Sequence, residues 1–486
     1  MKTYSERRGK KSCSWKHGLA VGGAVLVSSI GCSALATSLT TLHVFCSSSA
    51  PGSVPGCADG EAPEGHLHFD SQGNLYGTAF VGGLTGGVGG SNGNGVVYKI
   101  TPDGAFRVVY AFKGGTDGSD PWGGVVSDGA GNLYGVGSFG GTNGGEGGAL
   151  GNGVVYKISP SGVQTVLYSF CQKQNLPFPG YPNCVDGSYP AGGLHLDGTG
   201  NIFGTAQLGG QETGVGAPPP NSNSSQTGQG NGLVFQISPW GSYTVLHTFT
   251  GMPNEDGSNP WAKLTADPWG NIYGTTFGGG VPGISDAGNG VVFQLSPTPN
   301  GSYAYNVRYQ FTGYADGSAP IANVRVDQNG NLFGSTLGGG DAYGLSGFGV
   351  AYELPPNGKE KVLHTFTDGA DGGSPAAGLI EDCSGNWYGA ATAGGNMNGA
   401  VCSANGGCGV IYKLSPNGTS YTYTVLYTFA GGNDGANPYP TLIADDNGNL
   451  YGTATLGGNT TYGNGPNGNG TVFKLSGTGF NASCRS

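Results

Sequence analysis

Short apolar runs rich in Val, Tyr, Phe and Ile recur along nearly the whole chain, each closed off by Gly, Pro, Asn or Asp. Alternating, β-branched and aromatic runs bounded by turn residues predict strands in preference to helices. The runs fall into register around one motif, Gly-Asn-x-aromatic-Gly. Its seven copies start at Gly73, Gly131, Gly200, Gly270, Gly330, Gly385 and Gly448. Spacings between starts run from 55 to 70 residues, so a constant core carries variable inserts, as in stacked supersecondary units.

Three further motifs keep a fixed order around this anchor. An Asp-Gly-x-x-Pro turn precedes it, from Asp59/Pro63 and Asp117/Pro121 through Asp186/Pro190, Asp256/Pro260, Asp316/Pro320 and Asp371/Pro375 to Asp434/Pro438. A glycine-opened strand follows it, such as GVVYKI from Gly95 or GTVFKL from Gly470. A second strand of the VLYTF type comes next, as at Val108, Val166, Val245, Val307, Val362 and Val425. Each unit therefore reads as four strands: A after the proline, B at the anchor, C from the glycine and D of the VLYTF type. The glycine after the aromatic of strand B removes a side chain where a neighbouring ring can approach closely.

The last unit stops after strand C, and the missing strand D lies at the other end of the chain, in Leu42-His43-Val44-Phe45. Pairing these two segments closes a ring and removes exposed sheet edges. The expected architecture is an all-β, single seven-bladed β-propeller of four-stranded blades, closed by the N-terminal strand. A β-helix is the alternative, but it needs no strand borrowed from the far end. The units run at about 40–63 (closing strand and first turn), 64–112, 122–170, 191–249, 261–311, 321–366, 376–429 and 439–476. Almost no helix is expected, and the length leaves no room for a second domain.

Residues 1–36 read as a signal peptide: Lys2, Arg7, Arg8, Lys10, Lys11 and Lys16 precede an apolar run from Leu19 to Ile30, and Ala34-Leu35-Ala36 fits a cleavage site. The run is shorter than a membrane span needs. Cys32 raises a lipoprotein alternative, against which Ser29 stands where an aliphatic residue is usual; Arg7-Arg8 as a twin-arginine signal lacks the usual hydrophobic follow-up. Cleavage removes six of 19 basic and one of 29 acidic residues, leaving 13 and 28 and a formal net charge of −15. That balance argues against nucleic acid and anionic membrane as partners. The localisation expected is secreted or extracytoplasmic, with the cell surface as the alternative.

Cysteine placement agrees with export. Cys46 and Cys57 occupy the same two places around one D–A turn that Cys171 and Cys184 occupy two units later, which argues for disulfides 46–57 and 171–184. Cys402 and Cys408 are placed to close a local loop, and Cys383 and Cys484 fall at the same end of adjacent blades. Free thiols or metal ligands are the competing reading.

Chemistry is harder to find. Aspartates recur in every unit, in the D-G turn and at the end of strand A (Asp70, Asp128, Asp197, Asp267, Asp327, Asp382, Asp445). Sevenfold repetition favours turn capping over calcium binding or acid/base work. His43, His247 and His364 replace other strand D residues; His68 and His195 align in strand A with His66 nearby, where a role in the central channel is conceivable. No nucleophile elbow, zinc motif or P-loop appears, so no catalytic residue, metal or cofactor is expected. The face where D–A and B–C connections emerge is the better site candidate, because its B–C loops vary most. Trp122, Trp261 and Tyr439 follow the D-G-x-x-P prolines near the channel mouth on that face and are the expected ligand-binding residues, by stacking on sugar rings; wedging between blades competes with that role.

With GNLYGT, the trailing Gly457-Gly458, the GNGVVFxL pattern and TVLYTF followed by DGxxP, the chain resembles bacterial extracytoplasmic proteins built from GloVer-type tandem repeats, the choice-of-anchor group. The resemblance covers nearly the whole mature chain and implies export. It brings no catalytic residues, and the SGTGFNASCRS ending departs from the group's C-terminal anchor, which favours a soluble secreted protein. The function expected is a monomeric binding or scaffold module for extracellular glycan or protein. A polysaccharide lyase or glycoside hydrolase with a site at the channel mouth is the alternative, and a structural envelope or matrix component the second.

Overall fold

Each Gly-Asn-x-aromatic-Gly motif opens strand B of a four-stranded antiparallel sheet, and seven such sheets form the blades of a β-propeller. The computed structural model describes residues 37–46, 57–83, 93–142, 151–178, 181–210, 230–251, 255–281, 288–341, 347–459 and 467–484. The proposed signal peptide and Cys32 lie outside the described residues, as does much of the B–C loops. In blade 1 the strands are His68–Phe69, Leu75–Ala79, Val96–Ile100 and Phe106–Ala111, ordered A-B-C-D. Blade 7 takes its strand D from Ser38–Val44, antiparallel to strand C at Thr471–Ser476, so the ring closes as the sequence predicts. A five-residue helix at Ala400–Ala404 and a 3-10 turn at Gly115–Asp117 are the helical segments among the described residues.

The hydrophobic core is divided into seven clusters, each lying between two neighbouring blades. Strand C is buried on successive residues, as in Val96-Val97-Tyr98 with no exposure, because it packs against a blade on either side. Its ring reaches the strand B glycine: a Cβ on Gly77 would stand 2.5 Å from Cζ of Tyr98. The same crowding pairs Gly135 with Tyr156, Gly204 with Phe235, Gly274 with Phe293, Gly334 with Tyr352, Gly389 with Tyr412 and Gly452 with Phe473.

The Asp-Gly-x-x-Pro turn joins blade to blade. The residue before each proline is left-handed although none is glycine: Ala62, Asp120, Tyr189, Asn259, Ala319, Ser374 and Asn437 have φ from 50° to 59°. In that conformation its amide donates to a carbonyl of the preceding blade, as Asp120 N–H does to Asn94 O at 3.0 Å. The turn aspartate accepts the amide that follows strand D, as Asp316 does from Thr312 at 2.8 Å. Where strand D carries histidine, the ring meets the same aspartate: His43 with Asp59, His247 with Asp256 and His364 with Asp371, at 3.0 to 3.3 Å. Tyr110, Tyr168, Tyr309 and Tyr427 fill that place in the other blades. These histidines are packing residues of the repeat.

The strand A aspartates hold the A–B turns. Asp128 accepts from the amides of Ala130 and Asn132, the Asn132 side-chain amide and the Tyr134 hydroxyl, at 2.8 to 3.0 Å. Amide bonds at the corresponding two positions recur in all seven blades. That explains both the Asn of the anchor and its positive-φ glycine, which completes the tight turn.

Disulfides join Cys46–Cys57 and Cys171–Cys184, at equivalent places in the repeat, as well as Cys383–Cys484 between adjacent blades and Cys402–Cys408 across a local loop. They mark an oxidising, extracytoplasmic environment. Between Cys171 and Cys184 the chain adds a small hairpin, Gln174–Phe178 with Tyr181–Cys184, that no repeat signal announces. Among the described residues no helix is long and apolar enough to cross a membrane.

Candidate functional site

The residue that follows each proline points to the ring axis. Glu64, Trp122, Ala191, Trp261, Ile321, Ala376 and Tyr439 come from seven different blades and all line one cavity of about 40 Å³. That is room for a water or two, or for one small polar group. His66, Gly193 and Asn323, two positions further along the chain, also line it. The structure thus brings Trp122, Trp261 and Tyr439 together, each partly exposed. Trp122 meets Trp261 edge to face at 5.4 Å and packs on Phe80 at 4.9 Å.

The inner ring is asymmetric. In blades 5 to 7 it is tied off by hydrogen bonds: the Thr441 hydroxyl donates to Asn323 Oδ1 at 2.6 Å and accepts the Gly378 amide at 2.9 Å. Elsewhere glycines make space. A Cβ on Gly193 would stand 3.1 Å from the His66 ring and 3.2 Å from Cδ of Lys263, so the lysine stem passes over Gly193 beside that ring. Deeper on strand A, His68 pairs with the Ser127 hydroxyl at 2.7 Å.

Charge is segregated along the axis. At the mouth, burial pushes the Glu64 carboxyl up to about 7, against a hydrogen bond from Trp122. Burial likewise raises Asp120 to about 7. Burial, followed by the charges of Asp120 and Glu64, takes the Tyr189 hydroxyl to about 12. Below them, burial and then the nearby Arg325 charge bring Lys263 down to about 8. Burial and then Lys263 hold His66 near 3 and His68 near 4, and lower His195 as well. Lys263 acts on all three histidines, His66 at the cavity included. At neutral pH the three histidines are uncharged. Among the described residues no group of His, Cys, Asp or Glu has the arrangement to hold a metal ion.

Glu64, Asp120, Lys263 and the cavity position of His66 were not singled out from sequence. The signal was present: aligned on the proline, the repeats agree at the Leu or Val four residues on and at the Asp seven residues on, yet the first position runs Glu, Trp, Ala, Trp, Ile, Ala, Tyr and the third His, Gly, Gly, Lys, Asn, Gly, Thr. Scaffold positions repeat because every blade needs them. Axial positions, which meet around one cavity, vary more.

No curated protein matches the sequence. Solved structures that resemble it include a luciferin-regenerating enzyme, 10% identical, covering 87% of this chain and 94% of its own, with a TM-score of 0.39. A protein from Bacteroides uniformis described as a 6-phosphogluconolactonase is 13% identical, with 76% and 88% coverage and a TM-score of 0.42. A puromycin-hydrolyzing peptidase from Mycobacterium tuberculosis is 11% identical, with 85% of this chain and 53% of that chain covered and a TM-score of 0.44. No activity passes from these to the present chain. The sequence model of one family, described as the Gloeobacter/Verrucomicrobia repeat, matches residues 53–217, 221–402 and 283–484. The chain belongs to the Gloeobacter/Verrucomicrobia repeat family.

Proposed function

We propose that the protein is an exported binding propeller that takes the end of a glycan chain at its axial pocket. The observation that carries this reading is the meeting of Trp122, Trp261, Tyr439 and Glu64, from four different blades, around one axial pocket. Two tryptophans and a tyrosine around a narrow polar opening suit a sugar ring stacked at the mouth with one substituent directed inward. Purified protein incubated with a panel of polysaccharides tests it, with retention scored and the supernatant analysed for new oligosaccharides. Retention that Trp122→Ala abolishes supports the reading, and failure to retain any glycan refutes it.

One observation favours a second reading, cleavage at the same place. Glu64 is held near 7 inside the pocket, a value suited to proton transfer at neutral pH. New oligosaccharides that disappear on boiling the protein, or with Glu64→Gln, would move the assignment to a lyase or hydrolase.

A further inference from the structure

We propose that the axial pocket receives a primary ammonium group, so that the glycan it selects is an amino sugar with free amines. The proposal rests on the glycan reading above and adds the chemical class of the ligand.

The pocket combines three features that suit an ammonium. Its wall carries the rings of Trp122, Trp261 and Tyr439, whose electron-rich faces attract cations, tryptophan most strongly. Its lining includes one carboxylate, Glu64, on which burial acts and to which the Trp122 indole N–H donates. A second carboxyl, Asp120, stands close enough to act with Glu64 on Tyr189 and is shifted by burial alone. Burying a carboxyl without a counter-charge is costly, and a ligand cation removes that cost. The cavity of about 40 Å³ has room for an ammonium or for a water or two. A net charge of −10 for the whole chain, more negative once the basic start is removed, also draws cations toward the mouth.

The opposing charge is Lys263. Its stem crosses Gly193 beside His66, and its charge acts on His66, His68 and His195. The ligand ammonium is assigned to the space between the aromatic rings and Glu64. The titratable groups lining the pocket are Glu64, Tyr439 and neutral His66; Asp120 acts with Glu64 on Tyr189, and Lys263 acts on His66. Raising the pH through about 7 ionises Glu64 and Asp120, and toward about 8 begins to discharge Lys263. Both changes strengthen the hold on a cation, until the ligand amine itself loses its proton.

The test titrates the purified protein with β-1,4-linked glucosamine oligomers, the same oligomers fully N-acetylated, and uronic acid oligomers of equal length. Tryptophan fluorescence and calorimetry give the affinities, from about pH 5 to about pH 8. The expected result is glucosamine oligomers binding at least about tenfold tighter than N-acetylated ones, with affinity rising from pH 5 to pH 7. Glu64→Gln, which keeps an acceptor for Trp122, is expected to abolish that preference, and Trp240→Ala on the opposite face to leave it intact. Equal binding of the amine and its acetylated form, or Glu64→Gln retaining the preference, overturns the ammonium proposal and leaves the glycan reading standing. Preference for the uronate oligomers overturns it in favour of Lys263 as the recognition charge. Binding of none of the three removes the amino-sugar proposal together with the glycan reading, and loss of binding in Trp240→Ala moves the site off the axis.

Discussion

Gly470, which opens the last strand C, stands against Pro63 of the first blade, so close that a Cβ would lie 2.9 Å from Pro63 Cγ. The same pairing joins Gly95 to Pro121, Gly153 to Pro190, Gly232 to Pro260, Gly290 to Pro320, Gly349 to Pro375 and Gly409 to Pro438. Two motifs that looked independent in the sequence are therefore the two halves of one interblade joint, and Gly470–Pro63 is the joint that closes the ring.

Gly470→Ala should consequently destabilise far more than its backbone angle alone requires. Gly104 has a nearly equal φ, +90° against +92°, but nothing within 4 Å of its missing Cβ. Gly104→Ala is expected to cost about 1–2 kcal/mol for the left-handed backbone. Gly470→Ala should add roughly 2 kcal/mol of steric overlap. Equilibrium urea unfolding of the two variants measures the difference, and equal losses would mean that the proline yields to the extra methyl.

Tyr98→Phe should be neutral or stabilising. The ring is fully buried against Gly77, and its hydroxyl has no hydrogen-bond partner among the described residues. Tyr156, Tyr352 and Tyr412 share that state, while Phe235, Phe293 and Phe473 fill the place in the other blades. An unsatisfied buried hydroxyl costs on the order of 1 kcal/mol, so the melting temperature should rise by a degree or more. A lower melting temperature would show that an internal water serves this oxygen.

Stability should be greatest in mildly acidic solution. Burial alone raises Asp128, but hydrogen bonds from Asn132, Tyr134 and Ala130 outweigh it and leave the carboxyl below its ordinary value of 3.8. Asp70, Asp197, Asp382 and Asp445 behave alike. Depressed carboxyls contribute stability above that ordinary value, and the contribution is lost as pH falls through their folded values. Glu64 and Asp120, raised to about 7, and Glu360, raised to about 8, act in the opposite sense: stability falls as pH rises from their ordinary carboxylate values to those folded values. The optimum is expected near about pH 5. Asp128→Asn should cost about 2 kcal/mol at that pH and flatten the acid limb, as thermal melts across the pH range will show.

The repeat made the scaffold legible because every scaffold position is written seven times. Gly77 against Tyr98, Asp128 capping its turn and the strand borrowed from Leu42–Phe45 all follow from local pattern plus the need to close sheet edges. The disulfides were readable for the same reason, since Cys46/Cys57 and Cys171/Cys184 stand at matching places. The axial site was legible only in part. Trp122, Trp261 and Tyr439 were visible as aromatics after the proline, but Glu64 and Asp120 matter through burial and through each other's charge, which linear order does not encode. Lys263 lies beside His66 across Gly193, a residue without a side chain in one of the two blades between them. That coincidence belongs to the ring and has no trace in any single repeat.

The disulfides should rank by the length of chain they close. Cys383–Cys484 spans a separation of 101 residues and Cys402–Cys408 one of six. Constraint of the unfolded chain predicts about 4.7 kcal/mol for the first and about 2 kcal/mol for the second. The first also has help in the folded state: the Cys383 amide donates to Asn481 O at 2.8 Å, the Asn481 amide to Asp382 Oδ2 at 3.2 Å, and Phe480 packs on Tyr388 at 5.1 Å. These contacts keep the C-terminal segment on blade 6 when the bond is cut, so Cys383→Ala/Cys484→Ala should still fold while unfolding at clearly lower urea. Cys402 and Cys408 are fully buried, and alanine at both leaves a cavity that adds to their smaller entropic loss. If the Cys402/Cys408 pair nevertheless proves the costlier to remove, local packing in blade 6 outweighs chain entropy. The C-terminal contacts would then hold that segment on blade 6 without their covalent bond.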